Sequence, residues 1–250
     1  MHTMKNITKK QFTSKHLSDC EYIKDIYRTK YMLEPINNII LILEKLKTSL
    51  KGQYVECGTF QGKTLIPAAL YCEQNNLFQD RLLIGMDSFE GFPISKHHPN
   101  DLPIMFQHLW STGSITEDHY EKAKIRTDNF NSLKHLEGEY FLNIGNIFNS
   151  CNDFNNVKLI KGLFKDTTPL FTEDIGILHL DGDLYESYLL CLENLYDNVV
   201  EGGVVIFDEY YSHKYPGARI AVNEFFENKQ GHFEMWLTNE NHERWCWIKE

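Results

Sequence analysis

The sequence predicts an α/β fold: one mostly parallel sheet of seven strands, with helices on both faces and an antiparallel hairpin at the C-terminus. Three observations predict it. Five short apolar runs each end in a carboxylate or lead into a glycine, and helical stretches lie between most of them. That alternation is the signature of a parallel sheet wound on both sides. The runs are apolar on both parities, so both sheet faces are covered. The last two runs are joined by only six polar residues, TNENHE, too few for a crossover helix, so that pair is antiparallel.

The elements follow in order. Residues 1–30 are polar and mixed and predict an irregular start with one helix near 19–31. Residues 34–50, EPINNIILILEKLKTSL, carry apolar side chains at helical spacing, with Pro35 suited to a first turn and Gly52 to a stop. The strands are then residues 53–57 (QYVEC), 82–87 (LLIGMD), 157–161 (VKLIK), 175–181 (IGILHLD) and 203–208 (GVVIFD). Helices are expected over 62–74, 185–198 and 217–228. The closing hairpin is 233–237 (FEMWL) with 244–248 (RWCWI), and Trp236, Trp245 and Trp247 are read as its core side. Residues 88–142 break the alternation. They hold Pro93, Pro99 and Pro103 and a helical stretch at 117–136, and they read as a lid or substrate-recognition insert. The division is an N-terminal helical lead-in over 1–50 and one domain over 51–250 that carries the insert.

Composition excludes several classes. The chain has 250 residues, of which 42% are hydrophobic, too many for a disordered chain. A net charge of −10 argues against a general nucleic-acid binder, which needs a basic face. No apolar run approaches the roughly 20 residues that span a bilayer. The polar start MHTMKNITKKQF is not expected to be a signal peptide. The six cysteines contain no C-x-x-C pair and read as reduced thiols of a cytoplasmic protein. The eleven histidines show no zinc spacing, and the adjacent His97 and His98 suit a loop. A homo-oligomer stays open.

The chemistry is expected at the carboxyl ends of the strands, where open α/β sheets bind ligands. The first of the five runs leads into Glu56-Cys57-Gly58-Thr59-Phe60-Gln61-Gly62. This is neither G-x-G-x-x-G nor a phosphate-binding lysine loop. Glycines let the backbone approach a ligand, and an acid leading into the turn repels phosphate but accepts hydrogen bonds from an amino-acid ammonium. That suits the methionine end of S-adenosylmethionine (SAM); the plainer reading is an ordinary strand-to-helix turn. Asp87 ends the next run, ahead of Ser88, where a carboxylate can hold two ribose hydroxyls. Asp181-Gly182-Asp183 and Asp208-Glu209 end two further runs. If those strands are neighbours, four carboxylates converge, and such an oxygen-only set suits Mg²⁺. The plainer reading is that strand-end acids cap helices.

The sheet with its terminal hairpin resembles the class I SAM methyltransferase fold. The segments VECGTFQGKT, GMDSFEGFP, LIKGLFKDTTP, ILHLDGDLYES, EGGVVIFDEY and PGARIAVNEF resemble the macrocin O-methyltransferase (TylF-like) family of SAM- and Mg²⁺-dependent sugar O-methyltransferases, over residues 53–226. The resemblance implies that Glu56, Gly58, Asp87 and Ser88 contact SAM, with Thr59 and Gly62 completing the turn. It implies that Asp181, Asp208 and Glu209 hold Mg²⁺ and that Asp183 is the general base. The family often has Asp-Asp where this chain has Asp208-Glu209. The implied acceptor is a sugar hydroxyl of a glycan, nucleotide sugar or glycosylated natural product, and polysaccharide biosynthesis is one setting for it.

Two rivals are set beside it. Asp181-Gly182-Asp183 also fits the D-x-D motif of a metal-dependent glycosyltransferase, although that motif explains neither the Glu56 turn nor Asp208-Glu209. A non-catalytic subunit with the same fold is the second. His179 lies inside a strand and reads as a satisfied core histidine. Lys165 and Asp166 read either as site neighbours or as a helix cap. The stretch Tyr210-Tyr211-Ser212-His213 is expected to line an acceptor pocket.

Overall fold

The computed structural model describes residues 7–11, 37–48, 50–77, 81–92, 98–126, 154–237 and 243–250. The expected helix near 19–31 and the second half of the one at 117–136 lie outside the described residues. Cys20, Cys151 and His97 do too.

Eight strands form one sheet: β1 (Thr8–Gln11), β2 (Gln53–Cys57), β3 (Leu83–Asp87), β4 (Val157–Lys161), β5 (Ile175–Leu180), β6 (Val199–Phe207), β7 (Gly231–Leu237) and β8 (Glu243–Lys249). Their order is β1-β7-β8-β6-β5-β2-β3-β4. β2 through β6 are mutually parallel where they pair, and β8 runs antiparallel to both β6 and β7. The expected count of seven is therefore corrected to eight. The added strand, β1, lies parallel to β7 at the sheet edge. Its sequence TKKQ has no apolar face to betray it. It is held instead by charge: Lys10 pairs with the buried Glu234 at 2.9 Å, which also takes Lys45 at 2.7 Å.

The helices are α1 (Asn37–Leu46), α2 (Leu65–Asn75), α3 (Met105–Ser111), α4 (Glu117–Arg126), α5 (Phe164–Thr167), α6 (Tyr185–Leu195) and α7 (Pro216–Phe226). Alternate strand residues separate two cores. Tyr54, Leu83, Ile177, Val204 and Ile206 face α1 and α2. Val55, Ile84, Leu178, Leu180, Val205 and Phe207 face α6 and α7. The helices read their own burial from period 3.6: α6 buries Tyr188, Cys191, Leu192 and Leu195. The three tryptophans of the hairpin are buried as expected.

The order places a topological switch between β2 and β5. The chain leaves β2 toward β3 and β4, then returns to the other side of β2 with β5 and β6. Hydrogen bonds beyond the strand ends keep the carboxyl ends level. Asp181 N donates to Cys57 O at 2.9 Å, and Asp208 N to Leu180 O at 2.9 Å. Residues 98–126 of the insert pack Phe106, Leu109, Ile115 and Ala123 against Ile220 of α7.

Candidate functional site

The turn after β2 passes very close to the end of β5. Gly58 has φ +97°, and a Cβ there would collide with the backbone carbonyl of Asp181. Only glycine satisfies both demands. Gly62 also has positive φ, as does Phe60. The hydroxyl of Thr59 is buried and has no hydrogen-bond partner among the described residues. Its side chain occupies the space left by Gly85.

Asp87 ties two loops together. One carboxylate oxygen accepts from Phe60 N at 2.8 Å and the other from Phe89 N at 2.7 Å. Each oxygen keeps a further lone pair for a ligand. Ser88 shapes its own turn: its hydroxyl donates to Gly91 O and accepts from Glu90 N.

Glu56 is fully buried on the α1 and α2 face. Its carboxylate accepts from the Tyr54 hydroxyl at 2.7 Å, and that hydroxyl lies 3.2 Å from Nδ1 of His179. His179 Nε2 has no hydrogen-bond partner among the described residues and faces Asp208 Oδ1 at 3.9 Å. His179 is therefore buried, as expected of a core residue, but only half satisfied. Ligand atoms of His179, Asp181 and Asp208 lie within 4.8 Å of one another.

The sheet brings the four carboxylates together as the sequence suggested. Burial, followed by repulsion from Asp208, Glu209 and Asp183, drives the Asp181 carboxyl well above its ordinary range. Glu209 rises for the same kind of reason, burial first and then Asp183 and Asp208. Asp181 and Glu209 share a hydrogen bond, and Tyr188 OH donates to Glu209 Oε2 at 2.6 Å. Glu209 thus stands behind Asp181 rather than within the tight His179, Asp181 and Asp208 group. Asp183 has φ +60°, a costly conformation for an acidic residue that sits between strand and helix. Burial and Asp208 push its carboxyl up to about 7, against the opposing pull of Lys214 and a hydrogen bond from Tyr215.

Sequence reasoning missed His179, Tyr54, Tyr188 and the Lys214 and Tyr215 pair. The signal for His179 was present: it sits two residues before Asp181 on the same strand parity, beside Glu56 in the register. The other partners come from separate elements and leave no local spacing. One expectation changes. Tyr210 does not line a pocket; it is buried in the hairpin core against Phe233 and Trp245, with its hydroxyl on Asn223. Lys165 and Asp166 are exposed on α5, and Asp166 sits in its first turn. Tyr211 and His213 pack on His119 of the insert, whose Nε2 lies 3.0 Å from Ser212 O.

The chain as a whole is similar to known proteins. The demethyldecarbamoylnovobiocin O-methyltransferase of Streptomyces niveus is 28% identical over 180 residues, covering 71% of this chain and 59% of that protein. The 8-demethyl-8-(2,3-dimethoxy-α-L-rhamnosyl)-tetracenomycin-C 4′-O-methyltransferase of Streptomyces olivaceus is 27% identical over 187 residues, covering 74% and 63%. The chain thus spans about three-fifths of the length of these curated relatives. Among solved structures, the O-methyltransferase NovP superimposes with a TM-score of 0.53 at 23% identity, covering 94% of this chain and 79% of that one. The fold is that of the class I SAM methyltransferases, with one strand more than expected. The macrocin-O-methyltransferase (TylF) family pattern matches residues 33–238, which contain the glycine turn, Asp87 and all four clustered carboxylates. That match covers most of the chain, and with it the D-x-D reading as a glycosyltransferase gives way: this protein belongs to the macrocin O-methyltransferase (TylF) family.

Proposed function

We propose that the protein is a SAM-dependent O-methyltransferase that methylates a sugar hydroxyl with the help of a divalent cation. The observation that carries this reading is the position of Asp183. Its carboxyl stands in a half-buried turn with positive φ, close enough to Asp208 and to Asp87 for both charges to act on it. The residues fit both absent groups. The Gly58 turn packs directly on the backbone of Asp181, and the adjoining Thr59 hydroxyl is buried with no partner among the described residues. Asp181 and Asp208 crowd together with His179, an arrangement of like charges and lone pairs that a cation relieves. A glycan, a nucleotide sugar and a glycosylated natural product all offer such a hydroxyl; the relatives, named for demethyldecarbamoylnovobiocin and a rhamnosyl-tetracenomycin C, favour the last.

When bound, SAM supplies a sulfonium methyl group and the cation supplies Lewis acidity to an alcohol oxygen. The residues of the chain do the rest. Glu56 and the Gly58–Gly62 turn hold the amino-acid end, Asp87 the ribose and Ser88 the loop beside it. Asp181 and Asp208 hold the cation, with Glu209 supporting Asp181. Asp183 would take the proton of the acceptor hydroxyl, leaving its oxygen free for transfer of the methyl group that SAM would supply. A carboxyl near 7 suits this task at neutral pH, since a base works best when its pKa lies near the operating pH. Residues 98–126 and 211–213 border the acceptor side. The four described cysteines are free and buried, which fits a reducing cytoplasm. No helix among the described residues is long and apolar enough to cross a membrane.

The test is transfer of label from methyl-labelled SAM to rhamnosides and nucleotide sugars. Label is expected in the acceptor, lost with EDTA and restored by a divalent ion. Transfer that proceeds at full rate in EDTA removes the cation from the reading.

A further inference from the structure

His179 carries a nitrogen whose state the surroundings fix. Tyr54 has one hydroxyl proton, and burial together with Glu56 keeps it on the oxygen. At 2.7 Å that proton goes to Glu56. The Tyr54 oxygen is then an acceptor toward His179 Nδ1 at 3.2 Å, so Nδ1 carries the imidazole proton. With Nδ1 engaged by the Tyr54 hydroxyl, Nε2 is the ring nitrogen left to offer a lone pair. That lone pair is buried, has no partner among the described residues, and points among carboxylate oxygens. Its 3.9 Å separation from Asp208 Oδ1 is too long for a hydrogen bond. It falls within the span that two ligand bonds of about 2.1 Å each can bridge. The ordered second partner is also present. A ligating histidine usually donates its other N–H to an oxygen that fixes the ring, and Tyr54 backed by Glu56 does so here.

We propose that His179 Nε2 is a ligand of the cation site, completing an imidazole and two-carboxylate set with Asp181 and Asp208. This rests on the reading of Asp181 and Asp208 as cation ligands. The nitrogen changes which ion the site selects. Mg²⁺ prefers oxygen ligands, whereas Mn²⁺ and its first-row neighbours accept imidazole. The site is one for a first-row divalent ion such as Mn²⁺ in preference to Mg²⁺. The Tyr54 and Glu56 pair on Nδ1 also ties it to the turn proposed to hold SAM.

The experiment is electron spin echo spectroscopy on the full chain loaded with Mn²⁺, with and without ¹⁵N-labelled histidine, alongside calorimetric titrations of Mn²⁺ and Mg²⁺. The expected result is stoichiometric Mn²⁺ binding tighter than Mg²⁺, with a nitrogen modulation that changes isotope with the label. His179→Gln should lose the modulation. It should also weaken Mn²⁺ by at least the roughly 10–100-fold that follows loss of an outer-shell partner. The labelling of the unmutated protein keeps the test valid if that variant fails to fold. Mn²⁺ bound without nitrogen modulation overturns the histidine ligand and leaves the carboxylate site standing. Absence of binding by either ion overturns both.

Discussion

Asp183 combines three costs in one residue: positive φ, partial burial and neighbouring negative charge. Such costs persist where the surroundings enforce them, and they gather at reactive centres. Asp183→Asn keeps the shape and removes the base. It should leave affinity for S-adenosylhomocysteine (SAH) unchanged and lower kcat by about 10²–10⁴-fold, measured by stopped-time methyl transfer. The base must be unprotonated to work. Because its carboxyl is raised to about 7, turnover should be low below that pH and rise through it in a log-rate profile taken without saturating cation. Added cation should move this limb toward lower pH by favouring the charged form. An acid limb that survives unchanged in Asp183→Asn would assign it to another group. The acids themselves were legible in the sequence, because each ends an apolar run and acts locally. The half-satisfied state of His179 and the support of Glu209 by Tyr188 were not, since both depend on strand register and on a helix that packs across it.

Helices and strands show the same division. β2, β3, β5 and the second half of β6 were readable because burial on both faces writes continuous apolar runs, and β4, half-buried at the sheet edge, was readable from Val157, Leu159 and Ile160. β1 was not, since a polar edge strand is specified by the Lys10 and Glu234 pair and not by an apolar face. The start of β6 at Val199 falls in the gap between the expected helix, 185–198, and the expected strand, 203–208, and Tyr196–Asn198, read as the end of that helix, forms a 3-10 turn. One buried acid joins the apolar contacts that dock the insert. Asp101 accepts from Tyr185 N at 2.7 Å, at the start of α6, and packs where Gly217 of α7 has no side chain. Burial raises its carboxyl to about 7 from an ordinary 3.8. The folded state therefore binds that proton more tightly than the unfolded chain does. Its contribution to docking is full below about pH 4 and is lost as pH rises through about 7. Hydrogen exchange over residues 98–126 should accelerate across that window, and Asp101→Asn should flatten the dependence. An unchanged slope in Asp101→Asn would place the titration on another carboxyl.

The net charge of −10 now has a placed component. Asp87, Asp181, Asp183, Asp208 and Glu209 stand at the carboxyl ends of β3, β5 and β6 and in the turns that follow them, with β2 between β5 and β3, in an order created only by the switch between β2 and β5. No linear stretch contains that set, so the sequence offered the parts and the sheet supplied their proximity. The pivot of the arrangement is Gly58, where the turn proposed to hold SAM meets the segment proposed to hold the cation. Calorimetric titration of the protein with SAH tests this most directly. The account predicts one site per chain that is insensitive to EDTA, retained in Asp183→Asn and lost in Gly58→Ala. No binding by the unmutated chain, or undiminished binding by Gly58→Ala, would contradict it.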